Sequence, residues 1–159
     1  MFRIIIISFV TLLSHFSVNE NPIDVSINMQ NKSPKTIEDL VLEVRIKSNS
    51  NNVVIPKHIS YGFIQDTTGL LSLQLQKRKN GIYVNVNRHG VIDDIPYEQI
   101  LDTLQISDIR TDEFSFGGVY HIFKGEYRIR LLGNFIIKNH WKEIYSNWFY
   151  FYANKEIFP

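Results

Sequence analysis

Cysteine is absent from the 159 residues of this chain, which excludes a disulfide frame, a thiolate zinc or iron–sulfur site and a cysteine nucleophile. No charge sign dominates either: 17 Lys+Arg stand against 16 Asp+Glu, a net +1. A protein that holds nucleic acid by neutralising phosphates needs a clustered basic surplus, so that class is set aside. No apolar run reaches the ~20 residues of a membrane-spanning helix. A Gly-x-Ser-x-Gly elbow, a phosphate-binding glycine loop and a dinucleotide fingerprint are all missing, as are internal repeats and low-complexity linkers. What remains is the balance of a folded globule, 44% hydrophobic and 21% charged with 13% aromatic residues, at a length that suits one hydrophobic core.

The first residues read as an address. Met1-Phe2-Arg3 leads into Ile4-Ile5-Ile6-Ile7-Ser8-Phe9-Val10-Thr11-Leu12-Leu13, one positive charge followed by a short apolar stretch, as in a secretory signal. Ser14-His15-Phe16-Ser17 offers small residues without a clean cleavage triplet, so residues 1–17 are expected to be a signal peptide with an open cleavage point. An uncleaved anchor and a buried N-terminal strand are the alternatives. Cleavage after Ser17 removes only Arg3 among the charged residues and leaves 16 basic against 16 acidic. The expected location is periplasmic or extracellular, with no stable membrane span once the leader is cleaved.

Beyond Pro22 the dominant period is two. Ile23, Val25, Ile27 and Met29 alternate with Asp24, Ser26, Asn28 and Gln30, and Leu40, Leu42, Val44 and Ile46 repeat the pattern. Each stretch presents one apolar and one largely polar face, as in an antiparallel sheet wetted on one side. Leu71, Leu73 and Leu75 continue it. Asn80-Gly81 then marks a hairpin, because both residues tolerate positive φ, and Ile82, Val84 and Val86 form the return. Further strands are expected around Tyr127, Ile129 and Leu131 and over Trp148–Ala153. Residues 49–52, 66–69 and 116–118 read as turns or loops. Pro96 to Leu104 could open a short helix, whereas Leu104 and Ile106 favour a strand from Asp102. Seven or eight short strands separated by turns predict an all-β, immunoglobulin-like antiparallel sandwich over residues 23–153.

Gly125-Glu126-Tyr127-Arg128-Ile129 sharpens that expectation. A Gly-x-Tyr-x-Ile run entering a late strand resembles the tyrosine corner of immunoglobulin-like sandwiches, where the tyrosine hydroxyl bonds back to upstream backbone. Gly125, Tyr127 and Ile129 are therefore structural candidates, against the plainer reading of Tyr127 as an ordinary strand tyrosine. With the segment Leu42–Pro56 and the closing Tyr145-Ser146-Asn147-Trp148, the chain resembles the sandwich domains of small secreted bacterial proteins. It is similar to the immunoglobulin-like domain preceding the catalytic domain of some deuterolysin-type metallopeptidases, and more distantly to a bacterial proteinase-inhibitor sandwich. The resemblance implies an accessory fold without activity. The peptidase's His-Glu-x-x-His helix is absent, and no site residue is carried over.

Chemistry is sparse. His15, His58, His89, His121 and His140 show no metal-pair spacing, and zinc needs three or four convergent ligands. Asp66, Asp108, Asp93-Asp94 and Asp112-Glu113 are loop acids on this reading, conceivable as calcium ligands or as a glycosidase pair. No cofactor and no metal are expected. Asn31-Lys32-Ser33 matches a glycosylation sequon.

The last strand is the most suggestive surface. Trp148, Tyr150 and Tyr152 fall on one face and Phe149, Phe151 and Ala153 on the other, although a single bulge would exchange the two. If the last two strands pair, outward Arg128 and Arg130 lie beside outward Trp148, Tyr150 and Tyr152. That arrangement serves either cross-strand packing or recognition, since arginine and large aromatics are enriched at binding hot spots. The function expected is a secreted, non-enzymatic module binding a protein partner, or a glycan, through these five residues. The alternatives are a small carbohydrate-active or hydrolytic protein whose carboxylates converge from loops, and a protease inhibitor presenting Arg88–Ile95 or Ile109–Val119 as its loop.

Overall fold

In the computed structural model the chain is described over residues 21–56, 71–88 and 101–158. These residues form ten strands and no helix. β1 (Ile23–Met29), β2 (Val41–Ser48) and β7 (Ile109–Ser115) make a three-stranded antiparallel sheet in the order β1-β2-β7. A seven-stranded sheet holds β3 (Val53–Pro56), β4 (Leu71–Lys79), β5 (Ile82–Asn85), β6 (Leu101–Leu104), β8 (Gly125–Ile137), β9 (His140–Tyr145) and β10 (Phe149–Ala153). The protein is an all-β antiparallel sandwich. On the larger sheet β8 lies between β4 and β10, antiparallel to both.

β8 is the trunk of the larger sheet. Along one edge it pairs with β4 over Tyr127–Gly133 and then with β3 at Ile136 and Ile137; along the other it pairs with β10 and then β9. Its odd-numbered residues Tyr127, Ile129, Leu131, Phe135 and Ile137 are buried, while the even-numbered ones lie on the outer face. The opposing layer is supplied by Ile23, Val25, Ile27 and Met29 of β1 and Leu42, Val44 and Ile46 of β2, all buried. Strict alternation fixes this register, because a one-residue slip would turn each apolar row to water.

β9 and β10 follow each other along β8 with one residue to spare. Tyr145 lies opposite Leu132, yet Phe149 lies opposite Ile129, so four steps on one strand match three on the other. Ser146 and Asn147 absorb this bulge. Ser146 N–H donates to Leu131 O and its Oγ accepts from Leu131 N–H, both at 2.9 Å, so the trunk keeps its bonding through the irregularity. Asn147 reaches across to the other sheet: its Oδ1 accepts from Ile27 N–H at 2.8 Å and its Nδ2 donates to Ile27 O at 3.1 Å. The amide thus mimics a neighbouring strand at the free edge of β1. Asn147→Ala is expected to lower stability by about 1–2 kcal/mol, because Ile27 loses both partners, and a shift of the urea midpoint at unchanged slope would register it.

The structure differs from the sequence expectations at several places. Ten strands replace seven or eight, because β7 and β9 carry too few apolar residues to read as strands. Ile109–Ser115, expected as the head of a loop, is a strand that buries only Phe114 fully, so the inhibitor loop over 109–119 is not there. Asp112 and Glu113 accordingly lie in that strand and not in a loop. The strand expected through Ile106 ends at Leu104; Asp108 Oδ2 accepts from Gln105 N–H, Ser107 takes φ 73°, and Ile106 is exposed. Ile82 and Val84 are exposed at 69% and 37%, because the narrower sheet does not reach across to cover β5. The leader at 1–17, the turn at 66–69, residues 89–95 of the other candidate loop, the Pro96 segment up to residue 100, Asp93-Asp94 and three histidines (His15, His58 and His89) lie outside the described residues.

Candidate binding surface

The corner that anchors β8 is built from Tyr127. Its hydroxyl donates to Phe123 O at 2.7 Å and accepts from Phe123 N–H at 2.9 Å, the geometry of a tyrosine corner. The ring stacks on Phe151 with centroids 5.2 Å apart and planes 11° apart. Gly125 takes φ 150°, a backbone conformation that favours glycine at the turn into the strand, and the Lys77 stem passes over it, with Cε 2.8 Å from where a Cβ would stand. Ile129 is fully buried between Leu75 and Phe149.

Burial pushes the Tyr127 hydroxyl up to about 12, against a smaller lowering from the Phe123 backbone. The folded state therefore keeps a proton that the unfolded chain releases near pH 10, so this contribution is complete below about pH 10 and is lost as pH rises to about 12. Tyr127→Phe is expected to cost about 1 kcal/mol at neutral pH and to flatten the alkaline fall in stability. Urea unfolding of both proteins at neutral and alkaline pH checks both effects.

With β8 fixed, its outward residues face outward residues of both neighbours. Gln74 and Gln76 of β4 lie opposite Arg130 and Arg128. Arg128 Nε donates to Gln76 Oε1 and Arg130 Nε to Gln74 Oε1, each at 2.7 Å, and both glutamines donate to Asn85 Oδ1. The guanidinium planes are filled in between aromatic rings. Arg128 Cζ lies 4.2 Å from the centroids of both Tyr83 and Trp148, and Arg130 Cζ lies 4.2 Å from Tyr145 and 4.4 Å from Trp148. The result is one alternating stack, Tyr83–Arg128–Trp148–Arg130–Tyr145, running across β5, β8 and the bulge. The bulge makes it possible: Tyr145 before it and Trp148 after it point to the same side, which regular alternation would forbid.

Of the five residues predicted for this surface, the structure brings Arg128, Arg130 and Trp148 into direct contact. Tyr150, paired with Arg128 and 52% exposed, meets Tyr83 edge-on at 6.1 Å. Tyr152 stands at the margin, opposite Glu126. Sequence reasoning missed Tyr83, Tyr145, Gln74 and Gln76. Tyr83 had a usable signal: a two-residue Asn80-Gly81 turn, with φ 51° and 83°, fixes Arg78 opposite Tyr83 and so sets Tyr83 on the Gln74–Gln76 face. Tyr145 had none, since its side depends on the bulge.

Charge on this face is uneven. Glu126 is engaged by Arg78 at 2.8 Å, and Glu143 accepts from the Tyr145 hydroxyl, a bond that raises the tyrosine's pKa. Arg128 and Arg130 have no carboxylate partner among the described residues, and their Nη groups donate to no protein acceptor there. Elsewhere, Arg110 of β7 bridges Asp102 of β6 at 3.0 Å and approaches Asp112 at 3.3 Å, tying the sheets at the opposite seam. No group of three or more His, Asp or Glu able to hold a metal occurs among the described residues, and no helix there is long and apolar enough to cross a membrane.

No protein family, curated protein or solved structure matches this chain. The similarity to the accessory domain of deuterolysin-type metallopeptidases thus has no support beyond the shared all-β class.

Proposed function

We propose that the protein is a secreted, non-enzymatic binding module that takes a protein partner on the outer face of its larger sheet, seating partner carboxylates on Arg128 and Arg130. The observation that carries this reading is the state of those two guanidinium groups. They are oriented by Gln74 and Gln76 and held between rings, and among the described residues they have no carboxylate partner and no protein acceptor for their Nη groups. Fixing both side chains in advance removes much of the rotamer entropy that binding would otherwise cost, and charge-assisted pairs with carboxylates are strong and directional. Tyr145 and Tyr150, exposed at 45% and 52%, border the arginines with the large, stiff side chains typical of interface hot spots. The apolar stretch behind Arg3 supports export.

The test is purification of the full tagged chain from its own organism beside the double variant Arg128→Gln/Arg130→Gln. A stoichiometric protein partner retained by the first, released by salt and lost by the second supports the reading, provided circular dichroism shows both folded. A partner held equally by both, or glycan binding through this face without a protein, overturns it.

A further inference from the structure

The opposite side of the same sheet holds a second feature, independent of the outer-face reading. Where the β4–β5 hairpin extends past the three-stranded sheet, a cavity of about 540 Å³ opens between Lys77, Lys79, Val84, Val86, His121 and Phe123. That volume is in the range of small-molecule sites. From the geometry we infer that this cavity binds a small organic anion, a carboxylate on an apolar body, with the carboxylate on Lys77 and Lys79 and the body against Val84, Val86 and Phe123.

Lys77 is the anchor. Its stem passes over Gly125, where a Cβ would stand 2.8 Å from Cε, and its ammonium lies 5.5 Å from the ring centroids of both Phe123 and Tyr127. The side chain is thus placed in a slot rather than left to wander in water. Lys79 follows two residues on and presents its charge to the same side. Neither ammonium makes an ion pair among the described residues. The facing carboxylate, Glu156, acts on Lys77 only at longer range, and desolvation together with Lys79 holds the Lys77 pKa below the usual lysine value. An anion entering the cavity relieves that repulsion. The apolar half of the site is also uncovered: Val84, opposite Lys77, remains 37% exposed on the face that carries the buried Leu71, Leu73 and Leu75 further along β4. A ligand with only a charge would leave these walls wet, and a neutral one would leave the two cations unpaired; an apolar carboxylate satisfies both.

Titration calorimetry of the full chain with 4-phenylbutyrate, and with its neutral amide as control, tests this. Saturable binding of the carboxylate is expected, about tenfold tighter than the amide. Lys77→Met, which keeps the stem, should lose about tenfold, Lys79→Gln should lose less, and Thr111→Ser, on the exposed side of the other sheet, should bind as the parent does. Absence of saturable binding up to about 10 mM, equal affinity for the amide, or an unchanged affinity in a folded Lys77→Met protein would each overturn the inference. None of these outcomes depends on a protein partner, so the cavity and the outer face stand or fall separately.

Discussion

Gly133→Ala is expected to destabilise the fold by about 3 kcal/mol, at the upper end of what overpacking a well-filled core costs. Gly133 sits midway along β8 between Leu71 of β4 and Ile144 of β9. The fully buried ring of Phe135 folds back over it, so a Cβ at 133 would overlap the Cε2 and Cζ edge of that ring and press on Leu71 Cδ2 at 3.2 Å. A phenylalanine lying over a strand glycine is a packing unit in which each residue fills the other's space. Phe135 would have to leave its place beneath the trunk strand. Against a total stability of roughly 5–15 kcal/mol for a domain of this kind, a loss of that size would shift the urea midpoint well beyond ordinary surface variants. Adding Phe135→Leu should return part of it. A shift worth less than about 1 kcal/mol would mean that the ring can move aside freely.

Trp148→Ala is expected to have the largest effect outside the core, on stability and on recognition together. Its ring is the middle element of the stack and contacts both arginines, at 4.2 and 4.4 Å. Each cation–π contact is worth ~0.5–1 kcal/mol when exposed and ~2 when shielded, and the half-buried ring adds apolar burial. A loss of about 2–3 kcal/mol follows, with release of both guanidinium groups from their fixed orientation. Tyr152→Ala, at the margin and outside the stack, should fall within about 0.5 kcal/mol of the parent. Thermal unfolding separates the two variants. The Arg128 and Arg130 Nε–H resonances supply the structural readout, since removal of the indole should return both toward ordinary positions. Equal stability of Trp148→Ala and Tyr152→Ala would show that the stack contributes nothing.

Much of the frame was legible because it follows from period and turn chemistry. β1 and β2 bury the apolar rows that alternation marks, and Asn80-Gly81 closes the hairpin that its tolerance of positive φ implies. Gly125-x-Tyr127 foretold the corner, since a tyrosine in phase with core residues can return its hydroxyl only to nearby backbone. β7 escaped notice for an equally physical reason. Arg110 and Asp112 occupy its inward positions at the seam, where they meet each other and Asp102 rather than the core, so no apolar row announces the strand. β9 escaped because its outward row is Trp141, Glu143 and Tyr145 and its inward row contributes only Ile144 to the packed interior.

The surface was half legible. The pairing of Arg128 and Arg130 with Trp148 and Tyr150 follows from adjacent strands and alternation. The stack itself needed two facts that local sequence does not carry. One is the register that sets Gln74 and Gln76 beside the arginines; the other is the one-residue bulge at Ser146-Asn147 that turns Tyr145 and Trp148 to the same side. Both are outcomes of long-range pairing, and the residues that secure the bulge, Ser146 and Asn147, look like an unremarkable loop until Leu131 and Ile27 are seen opposite them.

The central claim, that a protein partner docks on the outer face of the larger sheet, is tested most directly by photo-crosslinking in the living cell. A benzophenone amino acid would replace Tyr150, an exposed member of the proposed face, and in a separate protein Thr111, exposed on the other sheet. A discrete adduct from position 150, absent from position 111 and lost when Arg128→Gln/Arg130→Gln is added, is the result the account predicts. An adduct from position 111, or from position 150 irrespective of the two arginines, would contradict it.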